Sequence, residues 1–254
     1  MRLQVLGCSG GIAARHWTTA LLLDDDVLID AGTGVNELPL EAMARLQHVV
    51  LTHSHLDHIA CLPLLIDSVF DRLERPLTVH GLPETLRALR QHIFNDVIWP
   101  DFSRLPDPAR PVLRYAELQP GTPLELGERT LTPIRVNHSV PAVGYRIDGP
   151  SGSLVFSGDT TTNDGLWNVL NSQPPFQILI VEAAFSDADR ELSIASRHYC
   201  PELLAADLRK LAHRPKVYLT HPKPGDEDII FGECRKHLTG YDLHRLCEGD
   251  TFHL

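Results

Sequence analysis

The run His53-Ser54-His55-Leu56-Asp57-His58 sets three imidazoles and a carboxylate within six residues, a donor density that suits divalent cations. His53 and His55, two apart, can reach one ion, while Asp57 and His58 lie further round the turn and can reach a second. Two ions about 3.5 to 4 Å apart ionise a shared water near neutral pH and neutralise charge on a phosphoryl oxygen, which is hydrolytic chemistry. A histidine-rich surface tract is the bland alternative. An internal run with an acid in register, directly after Val49-Val50-Leu51-Thr52, favours the metal site. That β-branched stretch reads as a buried strand, and strand-end loops are where α/β folds keep chemistry.

Three more donors follow apolar runs: His138 after Ile134-Arg135-Val136-Asn137, Asp159 after Leu154-Val155-Phe156-Ser157-Gly158, and His221 after Val217-Tyr218-Leu219-Thr220. A single such residue is more often a turn former, but three in succession point to one converging site. Asp30 ends Leu28-Ile29 and either orients a ligating imidazole through its free N–H or caps a turn. Glu182 ends Ile178-Leu179-Ile180-Val181 and either holds an imidazole or forms a buried ion pair. His198, just before Pro201, is either a general acid for an alkoxide leaving group or a packing histidine ahead of a helix. Asn95 and Trp99 would contact a purine edge and face, unless they serve the local core. His16, beyond the first Gly-rich turn, is a further candidate substrate contact. His48, His80, His92, His213, His237, His244 and His253 show no ligand spacing.

The elements that must position these groups alternate. Leu3 to Leu6, Ala20 to Leu23, Val27 to Ile29, Val49 to Leu51 and Leu77 to Val79 read as strands, as do Thr130 to Val136, Val143 to Ile147, Leu154 to Phe156, Ile178 to Val181 and Val217 to Leu219. Helical spacing runs over Asp57 to Phe70, Pro83 to Phe94 and Pro201 to Leu211. Residues 95–111 carry four prolines and read as an ordered loop or cap near the cleft. The Gly-rich breaks at residues 7–11 and 32–34 fit neither dinucleotide nor P-loop patterns and read as tight turns. Two sets of about five strands with interspersed helices predict an α/β domain, spanning residues 1–254, of two packed sheets with outer helices.

With 33 acids against 23 bases in 254 residues and a formal net charge of -10, the chain offers no extended basic surface for a nucleic acid. A small anion held by metals remains compatible. Five cysteines without C-x-x-C spacing indicate neither a disulfide framework nor a thiolate zinc site. No run approaches the ~20 apolar residues of a membrane span, so a reducing, cytoplasmic setting is expected.

The H-x-H-x-D-H run with the later His138, Asp159 and His221 resembles, over nearly the whole chain, the metallo-β-lactamase-fold hydrolases. That resemblance implies an αββα sandwich of two mixed β-sheets flanked by helices. It assigns His53, His55 and His138 to one metal, Asp57, His58 and His221 to another, and Asp159 to a bridge. Ser196-Arg197-His198-Tyr199-Cys200-Pro201 and Leu219-Thr220-His221-Pro222 resemble the phosphodiesterase branch, which includes transfer-RNA 3′-processing endonucleases and class II cyclic-nucleotide phosphodiesterases. Its members place an extra histidine, here His198, near the scissile phosphate. His55-Leu56-Asp57-His58-Ile59 and the segment from His92 to Pro100 are most similar to the class II enzymes. Cys61, Pro63 and Tyr199-Cys200 depart from that family's usual residues, leaving the ligand set intact and bearing on nucleotide preference.

What the resemblance implies is hydrolysis of a 3′,5′-cyclic nucleotide to a 5′-monophosphate through an activated hydroxide, with His198, Asp57 and Glu182 as the catalytic set. Two divalent ions are expected, zinc foremost, with manganese or iron as alternatives, in a homodimer. The other readings are an RNA 3′-processing endonuclease, a hydrolase of another small phosphodiester or sulfate ester, and a catalytically silent nucleotide sensor.

Overall fold

In the computed structural model, which describes residues 1–254, the apolar runs become strands of two mixed seven-stranded sheets. The first has the spatial order Thr251–His253, Arg2–Gly7, Ala20–Leu23, Val27–Ile29, His48–Val50, Leu77–Gly81, Leu113–Glu117. Its first three pairings are antiparallel and its last three parallel. The second runs Leu124–Leu126, Arg129–Val136, Ala142–Asp148, Ser153–Phe156, Ile178–Glu182, Lys216–Thr220, Leu243–Arg245 and repeats that pattern of three antiparallel then three parallel pairings.

The sheets are glued face to face by the period-two alternation of their strands. Leu21 and Leu23 enter the cluster between the sheets with Tyr145, Ile147, Leu154 and Phe156. Leu22, between them, joins the outer cluster with Leu28, Val49 and Val79 under the helices Leu62–Ser68 and Pro83–His92. On the other side Val155, Leu179 and Val217 lie under Asp164–Asn171, Pro201–Leu208 and Glu227–His237 through Trp167, Leu204 and Ile230. Strands covered on both faces read as continuous apolar runs, which is why the central ones were legible. The four strands the sequence does not announce, Leu113–Glu117, Leu124–Leu126, Leu243–Arg245 and Thr251–His253, are sheet edges with mixed, partly exposed residues.

The helix expected over Asp57 to Phe70 is broken into Leu56–Ile59 and Leu62–Ser68. At the break the Cys61 N–H donates 2.9 Å to the Ala31 carbonyl instead of turning back one helical turn, and Pro63 starts the second piece. The break pins the donor-rich loop to the neighbouring strand end, because Ala31 N–H also donates 2.7 Å to the His58 carbonyl. Residues 95–111 contain a two-residue hairpin, Pro106–Asp107 with Arg110–Pro111, and bury Phe102 in the outer core of the first sheet. No helix is long and apolar enough to cross a membrane.

Candidate metal centre

The donors converge because they all follow strands: Asp30 ends Val27–Ile29, His53 follows His48–Val50, His138 follows Arg129–Val136, Asp159 follows Ser153–Phe156, and His221 follows Lys216–Thr220. Strand ends at the edge of an open α/β arrangement are natural ligand sites. The side chains fall into two groups, His53, His55, His138 and Asp159, then Asp57, His58, Asp159 and His221, with the ligand atoms of each within 4.8 Å of one another. Asp159 belongs to both. Its Oδ2 stands 3.7 Å from His53 Nε2, 3.3 Å from His58 Nε2, 3.4 Å from His221 Nε2 and 3.9 Å from His138 Nε2. Asp57 Oδ2 is 3.8 Å from His58 Nε2 and 3.7 Å from His221 Nε2.

Whether these residues fit cations is tested by their unused valences. His53 Nε2, His58 Nε2 and both ring nitrogens of His221 are buried without a hydrogen-bond partner, which is rare for polar atoms unless they have another duty. The second nitrogen of several rings is fixed so that Nε2 keeps its lone pair. Asp30 Oδ2 accepts from His58 Nδ1 at 2.7 Å, and Thr52 Oγ1, donating to the same oxygen at 2.8 Å, is left to accept from His53 Nδ1 at 2.9 Å. His138 Nδ1 donates 3.0 Å to the Arg197 carbonyl. This is the outer support that metal-binding imidazoles require, and two neighbouring sets of nitrogen and carboxylate donors fit divalent cations.

Charge follows the same logic. Burial pushes His221 down to about 3 and His138 to about 4, and burial with the adjacent His58 holds His53 well below its ordinary value. Burial works against ionised Asp159, yet His221 and His58 outweigh it and keep the carboxyl well below the usual range. His53, His138 and His221 are thus held neutral around an anionic carboxylate, the states that metal binding demands. At His58 burial is outweighed by Asp159 and Asp30, which hold that imidazole well above its ordinary value, so a cation bound there would displace its proton. Two glycines let the loops approach. Gly158 has φ +58 and a Cβ there would stand 2.8 Å from the Val143 carbonyl, while a Cβ on Gly32 would collide with the Asp57 carbonyl. The Gly32 break therefore admits the donor loop, where the sequence suggested only a tight turn.

His198 sits over this centre, its ring stacked on His221 at 5.3 Å and edge-on to His138 at 4.9 Å. Its Nδ1 lies 2.8 Å from Glu182 Oε1, and the fully buried Glu182 also accepts from Thr160 N at 2.8 Å and Tyr199 N at 3.1 Å. Burial disfavours a charged His198, but Glu182 outweighs it and raises the imidazole above its ordinary value. Arg197, in left-handed conformation at φ +58, turns the chain here and donates 2.8 Å to the His138 carbonyl. The His198 turn and the His138 loop are thus bonded reciprocally.

The remaining candidates have other partners. Asn95 Oδ1 accepts from Val97 N at 3.1 Å and Ile98 N at 2.8 Å, shaping a turn, and Trp99 packs against the outer core of the first sheet. His16 stands 3.5 Å from Glu227 and borders a cavity beside the His221 segment. Sequence reasoning passed over Thr52, whose only signal is its place directly before His53, and Arg197, whose role depends on a backbone conformation that no spacing reveals.

A family model described as the beta-lactamase superfamily domain matches residues 25–221. A Bacillus subtilis protein described as a probable metallo-hydrolase, YhfI, is 27% identical over 94% of this chain and 95% of its own. Its crystal structure superposes with a TM-score of 0.76 at 22% identity, covering 99% of this chain and 98% of that one. Unliganded yeast PDE1 gives 0.83 at 18% identity over 100% and 99% of the two chains. The short form of human tRNase Z gives 0.71 at 17% identity over 100% and 99%. At these identities the structural likenesses carry the fold alone.

Proposed function

The chain belongs to the beta-lactamase superfamily, with the metallo-β-lactamase fold, and on that premise we propose that it is a dinuclear-metal phosphodiesterase hydrolysing 3′,5′-cyclic nucleotides to nucleoside 5′-monophosphates. His53, His55 and His138 would hold one cation, Asp57, His58 and His221 the other, and Asp159 both; zinc heads the candidates, ahead of manganese and iron. Bound there, the cations supply Lewis acidity toward a phosphoryl oxygen and acidify a water.

The observation that carries the reading is the His198–Glu182 pair, 2.8 Å apart. A cyclic diester leaves as a poor alkoxide and needs a proton. Glu182 accepts the Nδ1 proton and favours the charged ring, so His198 holds a second proton at Nε2 for the departing 3′ oxygen. The stacked His221 and edge-on His138 keep the ring from swinging away. Support for this reading comes from 43% identity over 54 residues, 21% of this chain and 15% of its own, to the yeast 3′,5′-cyclic-nucleotide phosphodiesterase 1. In this reading the partner is a small anionic diester, two copies form a homodimer, and the five free thiols suit the cytoplasm.

A ribonuclease Z of Bradyrhizobium, 29% identical over 73% of this chain and 75% of its own, keeps an RNA 3′-processing endonuclease as the rival. A net charge of -10 opposes it, because binding a folded RNA draws on many phosphate contacts to Lys and Arg. Metal analysis of the purified protein, paired with a panel of cyclic mononucleotides, bis(4-nitrophenyl) phosphate and precursor transfer RNA, tests the proposal. Two metal equivalents and preferred turnover of cyclic mononucleotides are expected. Metal-loaded protein that cuts no small diester, or that prefers the RNA, overturns it.

A further inference from the structure

A cavity of about 270 Å³ lies beside the segment that carries His221, bordered by Ser9, His16, Thr220, Pro222, Glu227 and Leu246. Thr220 and Pro222 flank His221, and the same glycine-rich segment lies against that histidine: a Cβ on Gly10 would come within 2.9 Å of its ring carbon Cδ2. The volume is just below the roughly 300–1,000 Å³ of drug-sized pockets and suits one planar heterocycle.

Two buried polar atoms of this cavity's residues have no hydrogen-bond partner, Ser9 Oγ and Glu227 Oε1. Ser9 is only 3% exposed. Glu227 Oε2 is engaged by the Gly225 N–H at 3.0 Å, while His16 Nδ1, at 3.5 Å from Oε1, is beyond ordinary hydrogen-bond length. Buried polar atoms are nearly always bonded, so the pair defines what a ligand here should offer: a donor for one carboxylate oxygen and an acceptor for one hydroxyl.

We propose that this cavity is the base subsite of the enzyme and that it takes a 6-aminopurine, Glu227 accepting from the exocyclic amino group and Ser9 donating to a ring nitrogen. The inference rests on the phosphodiesterase reading and adds its nucleobase. Guanine would bring two parallel donors on its N1–N2 edge, which match both oxygens of a free carboxylate, and here one oxygen is already held by Gly225. Leu246 and Phe231, whose ring carries the Arg245 guanidinium at 4.7 Å, supply apolar surface for the base. Asp228 is paired with Arg245 at 2.6 Å, and the remaining Glu227 and Glu248 leave the lining acidic, which disfavours the phosphate end of a nucleotide in the cavity and favours the base there.

Adenosine and guanosine, which carry no phosphate, are the probes. Calorimetric titration into the full chain should show adenosine binding, guanosine weaker by about tenfold or more, and a comparable loss of adenosine affinity in Ser9→Ala and in Glu227→Ala. In the metal-loaded enzyme, the ratio of kcat/KM for cyclic AMP to that for bis(4-nitrophenyl) phosphate, a diester without a base, should fall about tenfold in each variant. Two substitutions on different elements, with thermal transitions recorded for both, guard against a folding defect in one. Equal binding of the two nucleosides, absent adenosine binding, or ratios unmoved in both variants overturns the subsite. Where the base-free diester is still cleaved, that failure leaves the phosphodiesterase reading standing; where no diester is cleaved, that reading has failed.

Discussion

Asp30 and Glu182 are two buried carboxylates that each hold an imidazole, and the difference in what they hold separates two effects. Asp30 fixes the His58 tautomer at 2.7 Å and so acts on cation affinity, whereas Glu182 holds His198, which has no ligand duty in the proposed site. Asp30→Asn should therefore weaken metal affinity about 10- to 100-fold, read by chelator competition. His198→Ala should lower turnover of the preferred diester by about 10²-fold or more while metal content, read by elemental analysis, is kept. Unchanged turnover in His198→Ala removes its role as proton donor, and unchanged affinity in Asp30→Asn reduces Asp30 to the turn-capping residue that the sequence allowed equally well. At this scale the candidate donors were legible because their types are restrictive. Of the support, the carboxylates Asp30 and Glu182 stood out at their strand ends, whereas Thr52 and the Arg197 carbonyl did not, since they act through positions and any residue offers a carbonyl.

The elements show the same division between what composition announces and what assembly adds. The central strands advertise themselves as apolar runs such as residues 178–181, whereas edges such as Leu113–Glu117 mix buried, half-buried and exposed residues and resemble loops. Helical spacing over Asp57 to Phe70 was real, but hydrogen bonds to Ala31 from a neighbouring strand broke it, and no local pattern reports a tertiary bond. Neighbouring strands also place His48 Nδ1 3.0 Å from His80 Nε2, a pairing invisible in the spacing. Burial, helped by His48, lowers His80 to about 4. Because the unfolded chain then takes up its proton first as pH falls, this group's contribution to stability is intact above pH 6.5 and is lost progressively toward pH 4. By pH 5 the loss should be about 2 kcal/mol. Denaturant unfolding at pH 7.5 and pH 5 should show a drop smaller by about that amount in His80→Gln than in the unsubstituted protein; an equal drop in both refutes the assignment.

The whole molecule carries the same strand pairing twice, three antiparallel steps followed by three parallel ones in each sheet, yet no sequence repeat betrays it, because burial on both faces asks only for apolar residues of suitable size. The candidate ligands divide across that duplication. His53, His55, Asp57 and His58 come from the first sheet, His138, Asp159 and His221 from the second, and both donor groups draw on both sheets. Cations bound there would join the two halves at the edge, where the apolar contacts between the sheets end. Anything that binds the folded state alone stabilises it by RT ln(1 + [L]/Kd), about 4 kcal/mol at a thousandfold excess over Kd. Thermal unfolding should therefore shift upward with added zinc or manganese, in proportion to the logarithm of concentration, and fall on chelation. Asp159→Asn, which weakens both donor groups at once, should flatten that dependence more than His55→Ala, which touches one. A transition temperature indifferent to metal in the unsubstituted protein would mean that the seven side chains do not clasp cations across the two sheets.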